Sequence, residues 1–279
     1  MTRAQKGLAV VTLSVFASGC GPILSTMTPA QVTPHRSFRA TAGAGTTLPV
    51  GQILDTIDTV TTLSNRVANG EMLTAAEQNT LTEQAVGLVI SPPTFSYEFQ
   101  LRYGFLPRWD AGLRLVGSNV RLDARYQLLS SDQGAPLDLS VGAGLALGFT
   151  SLSLGSIAES VIKIDDYRVF TFDVPILAGW SGRFGHFWFG PKLVVAATST
   201  GMSVGVSSTE TRVLDVSGTT VHYGGQIGGA IGYRWVWVAF ELSMYGMSGS
   251  ANVTYPGGTF TPSFGGLVVA PSFAVMLQI

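Results

Sequence analysis

From Thr94 to Phe105 the chain alternates without a slip. Phe95, Tyr97, Phe99, Leu101, Tyr103 and Phe105 fall on one face, and Ser96, Glu98, Gln100, Arg102 and Gly104 on the other. A two-residue period over this length is the pattern of a β-strand with one apolar face. A soluble barrel would put its apolar side chains inside. Here the apolar face is bulky and aromatic, while the opposite face mixes charges with glycine and alanine. A cation facing lipid at the bilayer midplane costs about 2–4 kcal/mol, so the charged face must be the interior one.

Composition agrees with a membrane-spanning sheet. The chain is 46% hydrophobic and only 12% charged, yet it has no uninterrupted apolar run of about 18 residues that would make a spanning helix. A barrel strand needs only about 9–11 residues with alternate apolar side chains. The charge balance, 16 basic against 17 acidic, leaves no broad basic face for nucleic acid. A single cysteine excludes an internal disulfide and any multi-cysteine metal site.

The alternation recurs along the chain. A weak first strand runs through Phe38, Ala40, Ala42 and Ala44; others follow at Ala111–Val116, Val120–Leu128, Leu137–Phe149, Asp166–Trp180, Phe187–Ala197, Val221–Tyr233, Val236–Met244 and Leu267–Ile279. Asp166–Trp180 slips in a way that suggests a bulge. The expected fold is all-β, an antiparallel transmembrane β-barrel of about ten strands, with a short α-helical insert between the first two. Connections alternate between short (106–109, 130–136, 181–185, 234–235) and long (46–93, 150–165, 198–218, 246–263), with 117–119 the exception. This matches short periplasmic turns and long extracellular loops. Both ends of the barrel then fall on the short-turn side. Aromatics gather toward two rims: Phe105, Trp109, Trp180, Phe184, Phe187, Tyr233 and Trp235 at one, and Phe95, Tyr97, Phe149, Tyr167, Tyr223 and Tyr245 at the other.

Residues 1–19 read as a signal peptide: Arg3 and Lys6, then the apolar stretch Leu8–Phe16, then small residues. Ala17-Ser18-Gly19-Cys20 resembles the bacterial lipobox, which implies lipidation of Cys20. Residues 20–35 are then expected to be a periplasmic linker and 36–279 the barrel. Phe273, Val275, Leu277 and Ile279 look like the C-terminal signal read by the barrel-assembly machinery. In pattern the chain resembles the small Gram-negative outer-membrane β-barrels of the OmpA membrane-domain and OmpW classes, over residues 36–279. That resemblance implies the outer membrane as location and its bilayer as partner.

Within 46–93, Ile53, Ile57, Val60, Leu63 and Val67 recur at helical spacing, and Thr74-Ala-Ala-Glu77 has the form of a capping box opening a second helix to about Gly87. The pair either caps the barrel outside or plugs it. Inward Gly and Ala near 137–149 and 221–233 leave volume that favours a partial plug.

No chemistry-bearing motif emerges. His35 and His186 lie toward the periplasmic side, and His222 lacks the Asp-x-His arrangement of outer-membrane proteases, so no enzyme, cofactor or metal site is expected. The informative set is the inward polar one: Glu98, Gln100, Arg102, Arg114, Arg121, Asp123, Arg125, Asp138, Asp173, Lys192, Gln226 and Glu241. In an open pore such arginines set an anion preference; in a closed barrel they fill the lumen as ion pairs. The leading expectation is a narrow, partly plugged pore for small solutes. The alternative is a non-transporting envelope barrel whose loops bind a surface ligand, with a hydrolase as a remote third.

Overall fold

The computed structural model describes residues 21–50, 59–60, 62–63, 65–67, 69–150, 162–205 and 211–279. The signal peptide and Cys20, together with Ile53 and Ile57 of the expected first helix, lie outside the described residues. Eleven antiparallel strands form one sheet: β1 (Phe38–Val50), β2 (Thr94–Leu106), β3 (Trp109–Val116), β4 (Asn119–Leu129), β5 (Asp138–Thr150), β6 (Ile162–Ser181), β7 (Gly185–Gly205), β8 (Thr211–Tyr233), β9 (Val236–Tyr255), β10 (Gly258–Phe260) and β11 (Ser263–Gln278). The three-residue β10 pairs only with β9. The other ten close on themselves through β9, which pairs with both β8 and β11. Closure leaves no free edge, the only way a sheet survives in lipid.

One helix, α1 (Ala75–Ile90), follows β1, and the described residues between 59 and 67 are helical as well. Thr74 caps α1: its hydroxyl accepts from the Glu77 N–H (3.3 Å), and Glu77 accepts from the Thr74 N–H (2.9 Å). The helix runs three residues past the expected end at Gly87, because Leu88, Val89 and Ile90 are buried with its apolar stripe.

The wall is lopsided. β2–β4 are 13, 8 and 11 residues long, whereas β6–β9 are 20 to 23. The expected long loops at 198–218 and 246–263 are mostly strand. Their outward and inward character swaps partway along. Near the short turns β6–β9 present Phe172, Leu193, Ile227 and Phe240 outward, and Asp173, Lys192, Gln226 and Glu241 inward. Beyond this belt the outward row becomes Arg168, Ser199, Ser217 and Asn252, in register across the four strands. The inward side there turns apolar, with Met202, Val204, Leu214, Val216 and Val253 all at 2% exposure or less. A strand that is apolar outside and polar inside lies in lipid; the reverse lies in water. The swap therefore marks where the wall leaves the bilayer.

The slippage expected in β6 is a register shift between Asp165 and Arg168. Parity running unbroken from Asp173 sets Arg168 on the outer row and Tyr167 inside, and beyond the shift Ile164 faces in. The aromatic rims are corrected accordingly. Tyr167 and Tyr245, expected at the far rim, are 1% exposed and inward, while Tyr97, Phe149 and Tyr223 remain outward. At the short-turn rim Phe184 stacks on Tyr233 (5.6 Å) and Trp180 on Phe187 (5.9 Å).

The insert packs inside the tall wall. Leu81, Ala85, Val86, Val89 and Ile90 of α1 join one buried cluster with inward residues of β6–β9, including Ile164, Val169, Met202, Leu214 and Val253.

Two outcomes are expected. On the outward face of β9, Phe240→Arg will destabilise the barrel in lipid by about 2–4 kcal/mol, whereas Asn252→Arg will be close to neutral, as urea titration in vesicles will show. The Glu77 carboxyl is pushed down to about 2, chiefly by the Thr74 N–H and next by Arg66. Its capping contribution is therefore whole above the ordinary carboxylate range and disappears as pH falls through about 2. Amide exchange in α1 will speed up across that acid window, and Glu77→Gln will flatten the response.

Candidate functional site: the filled lumen

The interior is built from strand parity. Even residues of β2, β3 and β5 and odd residues of β4 point inward, which sends Glu98, Gln100, Arg102, Arg114, Arg121, Asp123, Arg125 and Asp138 to the lumen, all at most 8% exposed. Asp173, Lys192, Gln226 and Glu241 enter from β6–β9 and are equally buried.

Six of these twelve groups, together with Asp110 of β3, form one chain of alternating charge. Asp110 takes Arg102 through Nη2 (2.7 Å) and Nε (3.2 Å), and Arg125 through Nη2 (2.7 Å) and Nε (3.1 Å). Arg102 continues to Asp123 (2.6 Å), which also accepts from Arg121. Arg121 grips Asp173 with both Nε and Nη2 at 2.8 Å, and Asp173 faces Lys192 at 3.9 Å. Arg114 pairs with Glu98 separately. Two-pronged guanidinium–carboxylate contacts of this kind are strong and fix geometry.

The partner that completes the lumen is the chain's own segment 21–34. Expected as a periplasmic linker, it instead runs through the barrel, with residues 21–30 all buried. At the short-turn end it reverses at Arg36, whose N–H donates to the Gly104 carbonyl (2.8 Å), and enters β1. Going back along the segment, the Thr33 N–H donates to Asp110 (2.7 Å) and the Val32 N–H to Gln127 (2.6 Å). The Pro29 carbonyl accepts from Arg125 (2.7 Å). The Thr26 and Met27 N–H groups both donate to Glu241 (2.6 and 2.8 Å), which also accepts from the Trp188 indole (2.9 Å). The Ser25 carbonyl accepts from Arg114 (2.7 Å), and Lys192 donates to the carbonyls of Ile23, Leu24 and Ser25 at 3.0–3.3 Å. The Leu24 carbonyl also receives the Tyr245 hydroxyl (3.0 Å), and the Gly21 carbonyl receives the Asn119 amide (3.1 Å). The threaded backbone thus takes the place that water would hold in an open lumen.

The inward glycines are not spare volume for the insert. A Cβ on Gly144 would sit 2.5 Å from the Arg121 guanidinium, and one on Gly228 would sit 2.3 Å from the Trp188 ring. They are clearance for spokes that cross the lumen. Of the expected set, Asp138 stays apart and accepts from Ser131 at the short-turn end (2.9 Å). Gln100 faces inward, but its amide meets no partner among the described residues.

Asp110 and Arg39, both fully buried, were missed. Extending the β3 alternation one residue toward its turn would have found Asp110. Arg39 bonds Gln278 (2.9 Å) and the Gln31 carbonyl (3.1 Å). Among the described residues no histidine side chain bonds a carboxylate. His186 packs on Trp237 at 4.4 Å with neither ring nitrogen partnered, and His222 leaves Nδ1 unpartnered.

No protein-family model matches the chain, and no curated protein matches it in sequence. Among solved structures it is similar to a major outer membrane protein from Thermus thermophilus, at 9% identity and a TM-score of 0.40, over 87% of this chain and 99% of that one. It is also similar to Ail, the attachment invasion locus protein of Yersinia pestis (8%, TM-score 0.28, 88% and 99%), and to the translocator domain of the autotransporter NalP from Neisseria meningitidis (10%, TM-score 0.29, 98% and 95%).

Removing one member of a buried ion pair leaves a charge stranded, at a cost of about 3–5 kcal/mol. Asp110→Ala strands two arginines and will lower stability by at least that much in urea titration of the folded barrel. Asp132→Asn, at the exposed carboxylate bonded to Gln31, will stay within about 0.5 kcal/mol of the parent.

Proposed function

We propose that this chain is an outer-membrane β-barrel with a closed, non-conducting lumen, displaying its tall, polar-coated wall at the cell surface for contact with a partner. The short turns face the periplasm and the insert end faces outward. The observation that carries this reading is the threaded segment: its backbone amides and carbonyls bind the lumen's carboxylates and cations one by one, from Asp110 near the short turns to Asn119 at the other end. The inward arginines are joined to carboxylates or to the thread, so they do not form a bare ring to select anions. This favours the closed alternative over the narrow pore.

The outer-membrane placement is supported by the outward apolar belt, by its aromatic rims and by the swap of polarity along β6–β9. The reading assigns the protein no catalytic step and no cofactor. Its membrane partner is the bilayer itself, and its assembly would use the C-terminal strand β11 as the recognition element.

The test is conductance. The refolded mature chain in planar bilayers will show no steady current, and solute permeation into liposomes will stay at the protein-free baseline. Deleting residues 59–90 will leave both unchanged, because the thread still fills the lumen; deleting 21–34 will raise permeation. Steady current through the intact chain would overturn the reading.

A further inference from the structure

The thread fixes on which side of the barrel the polypeptide begins. β1 starts at the short-turn end, where Phe38 and Ile279 exchange backbone hydrogen bonds (2.8 and 2.9 Å). The segment before it runs the other way. Its order of partners is monotonic: Asp110 and Gln127 near the short turns, then Glu241 and Gln226, then Lys192 and Tyr245, and last Asn119. Asn119 opens β4 at the end far from the short turns, and Gly21 lies beside Thr94, the first residue of β2 at that same end. Ile23 packs there with Val116, the last residue of β3.

Gly21, itself buried, thus lies inside the low side of the wall, where β2–β4 stop. Tyr97, the outward aromatic of this rim, is level with it: the Gly117 N–H of the β3–β4 turn donates to the Tyr97 carbonyl (3.0 Å). Aromatics of this kind sit at the headgroup level. The exit is at the membrane interface.

We infer that the chain upstream of Gly21 is presented on the insert-end face, opposite to the end where β1 begins, so that its amino terminus and anything attached there meet the leaflet on that side. Under the orientation proposed above, on which this last step rests, that is the cell-surface leaflet. It replaces the expectation that residues 20–35 lie in the periplasm. An acyl group on Cys20, one peptide bond from Gly21, would insert at the outer surface beside the β3–β4 turn.

The side assignment does not depend on Cys20 being modified. It follows from covalent connectivity, because a segment with bonded partners on β2, β3, β4, β7, β8 and β9 lies inside the barrel and can leave only by the end its first residue reaches. Nor is the insertion weakly held. Glu241 and Lys192 alone account for five contacts to its backbone.

The test uses the full chain in cells with one short epitope at a time. The epitope is placed between Cys20 and Gly21, within 206–210, or within 131–134. Antibody labelling of intact cells is compared with labelling after permeabilisation. The expected result is that the first two epitopes are labelled on intact cells, at more than tenfold the signal of the third. An amino-terminal epitope hidden while the 206–210 epitope is labelled overturns this inference and leaves the orientation standing. If instead the 131–134 epitope is the labelled one, the orientation falls. The inference then survives only if the amino-terminal epitope stays hidden together with that at 206–210. Should the amino-terminal epitope block folding, Thr26→Cys with Gln226→Cys in a Cys20→Ser chain replaces it. Those side chains touch at 2.6 Å in the lumen, and a short thiol-to-thiol cross-linker will join them in the folded barrel. Failure to join them overturns the threading and the inference with it.

Discussion

A narrow barrel lined with charge is stable only if each charge meets its complement inside it, and here that complement is in large part a strand of backbone. The series Arg125, Asp110, Arg102, Asp123, Arg121, Asp173, Lys192 begins and ends on a cation. Its carboxylates are outnumbered, and the surplus is met by carbonyls of the threaded segment at both ends, Pro29 for Arg125 and Ile23 to Ser25 for Lys192. Glu241 is the opposite case, a carboxylate that accepts from two consecutive backbone N–H groups. A peptide backbone offers donors and acceptors in alternation along its length, so one uncharged segment satisfies both signs. Charge-assisted hydrogen bonds to buried groups contribute more than neutral ones, and leaving such a group unmade is costly. The wall and the thread each need the other.

Within the bilayer belt the fold was legible because one rule governed it: apolar outward, polar inward, period two. That rule placed β2–β5 and the lower halves of β6–β9, and the inward list from Glu98 to Glu241 follows from the same parity. The rule failed where the solvent outside the wall changed. At Ser217 and Asn252 the outward residues became polar and their inward neighbours Val216, Ala251 and Val253 apolar, so the alternation continued with its faces exchanged. Read with a fixed sign, Val213-Leu214-Asp215-Val216-Ser217 looks like a loop; read with the sign reversed, it is the continuation of β8. The inner apolar surface so created is also what α1 buries its stripe against, which is why the insert sits inside the wall.

The thread was illegible for a different reason. Residues 21–34 carry no charged side chain and three prolines, Pro22, Pro29 and Pro34, with neither a two-residue nor a helical period. Such a stretch reads as a linker, because its structural role rests on backbone groups that every residue has. One signal was present. A free linker in water has no reason to include Ile23, Leu24, Met27 and Val32, all buried, with Met27 in one cluster with Trp188 and Met276, Leu24 with Val194, and Ile23 with Val116. The inward glycines misled in the same direction. Gly144 and Gly228 look like empty volume until the guanidinium of Arg121 and the ring of Trp188 are placed over them.

Threading also constrains assembly. The segment lies upstream of β1, so it precedes the whole wall along the chain, yet its partners are spread from Glu98 on β2 to Glu241 and Tyr245 on β9. A finished ten-stranded barrel whose lumen is crossed by Arg102, Arg121 and Trp188 has no passage through which a segment could later be drawn. The wall must therefore curl around the thread while still open. The seam that admits this is β1 with β11, which joins the first strand to the last and is made only when Phe38 meets Ile279. Until β7 and β9 arrive, Lys192 and Glu241 are absent and the thread is held by the polar groups of β2–β4. Their arrival adds five further backbone contacts. Closing the barrel and enclosing the thread are then one event.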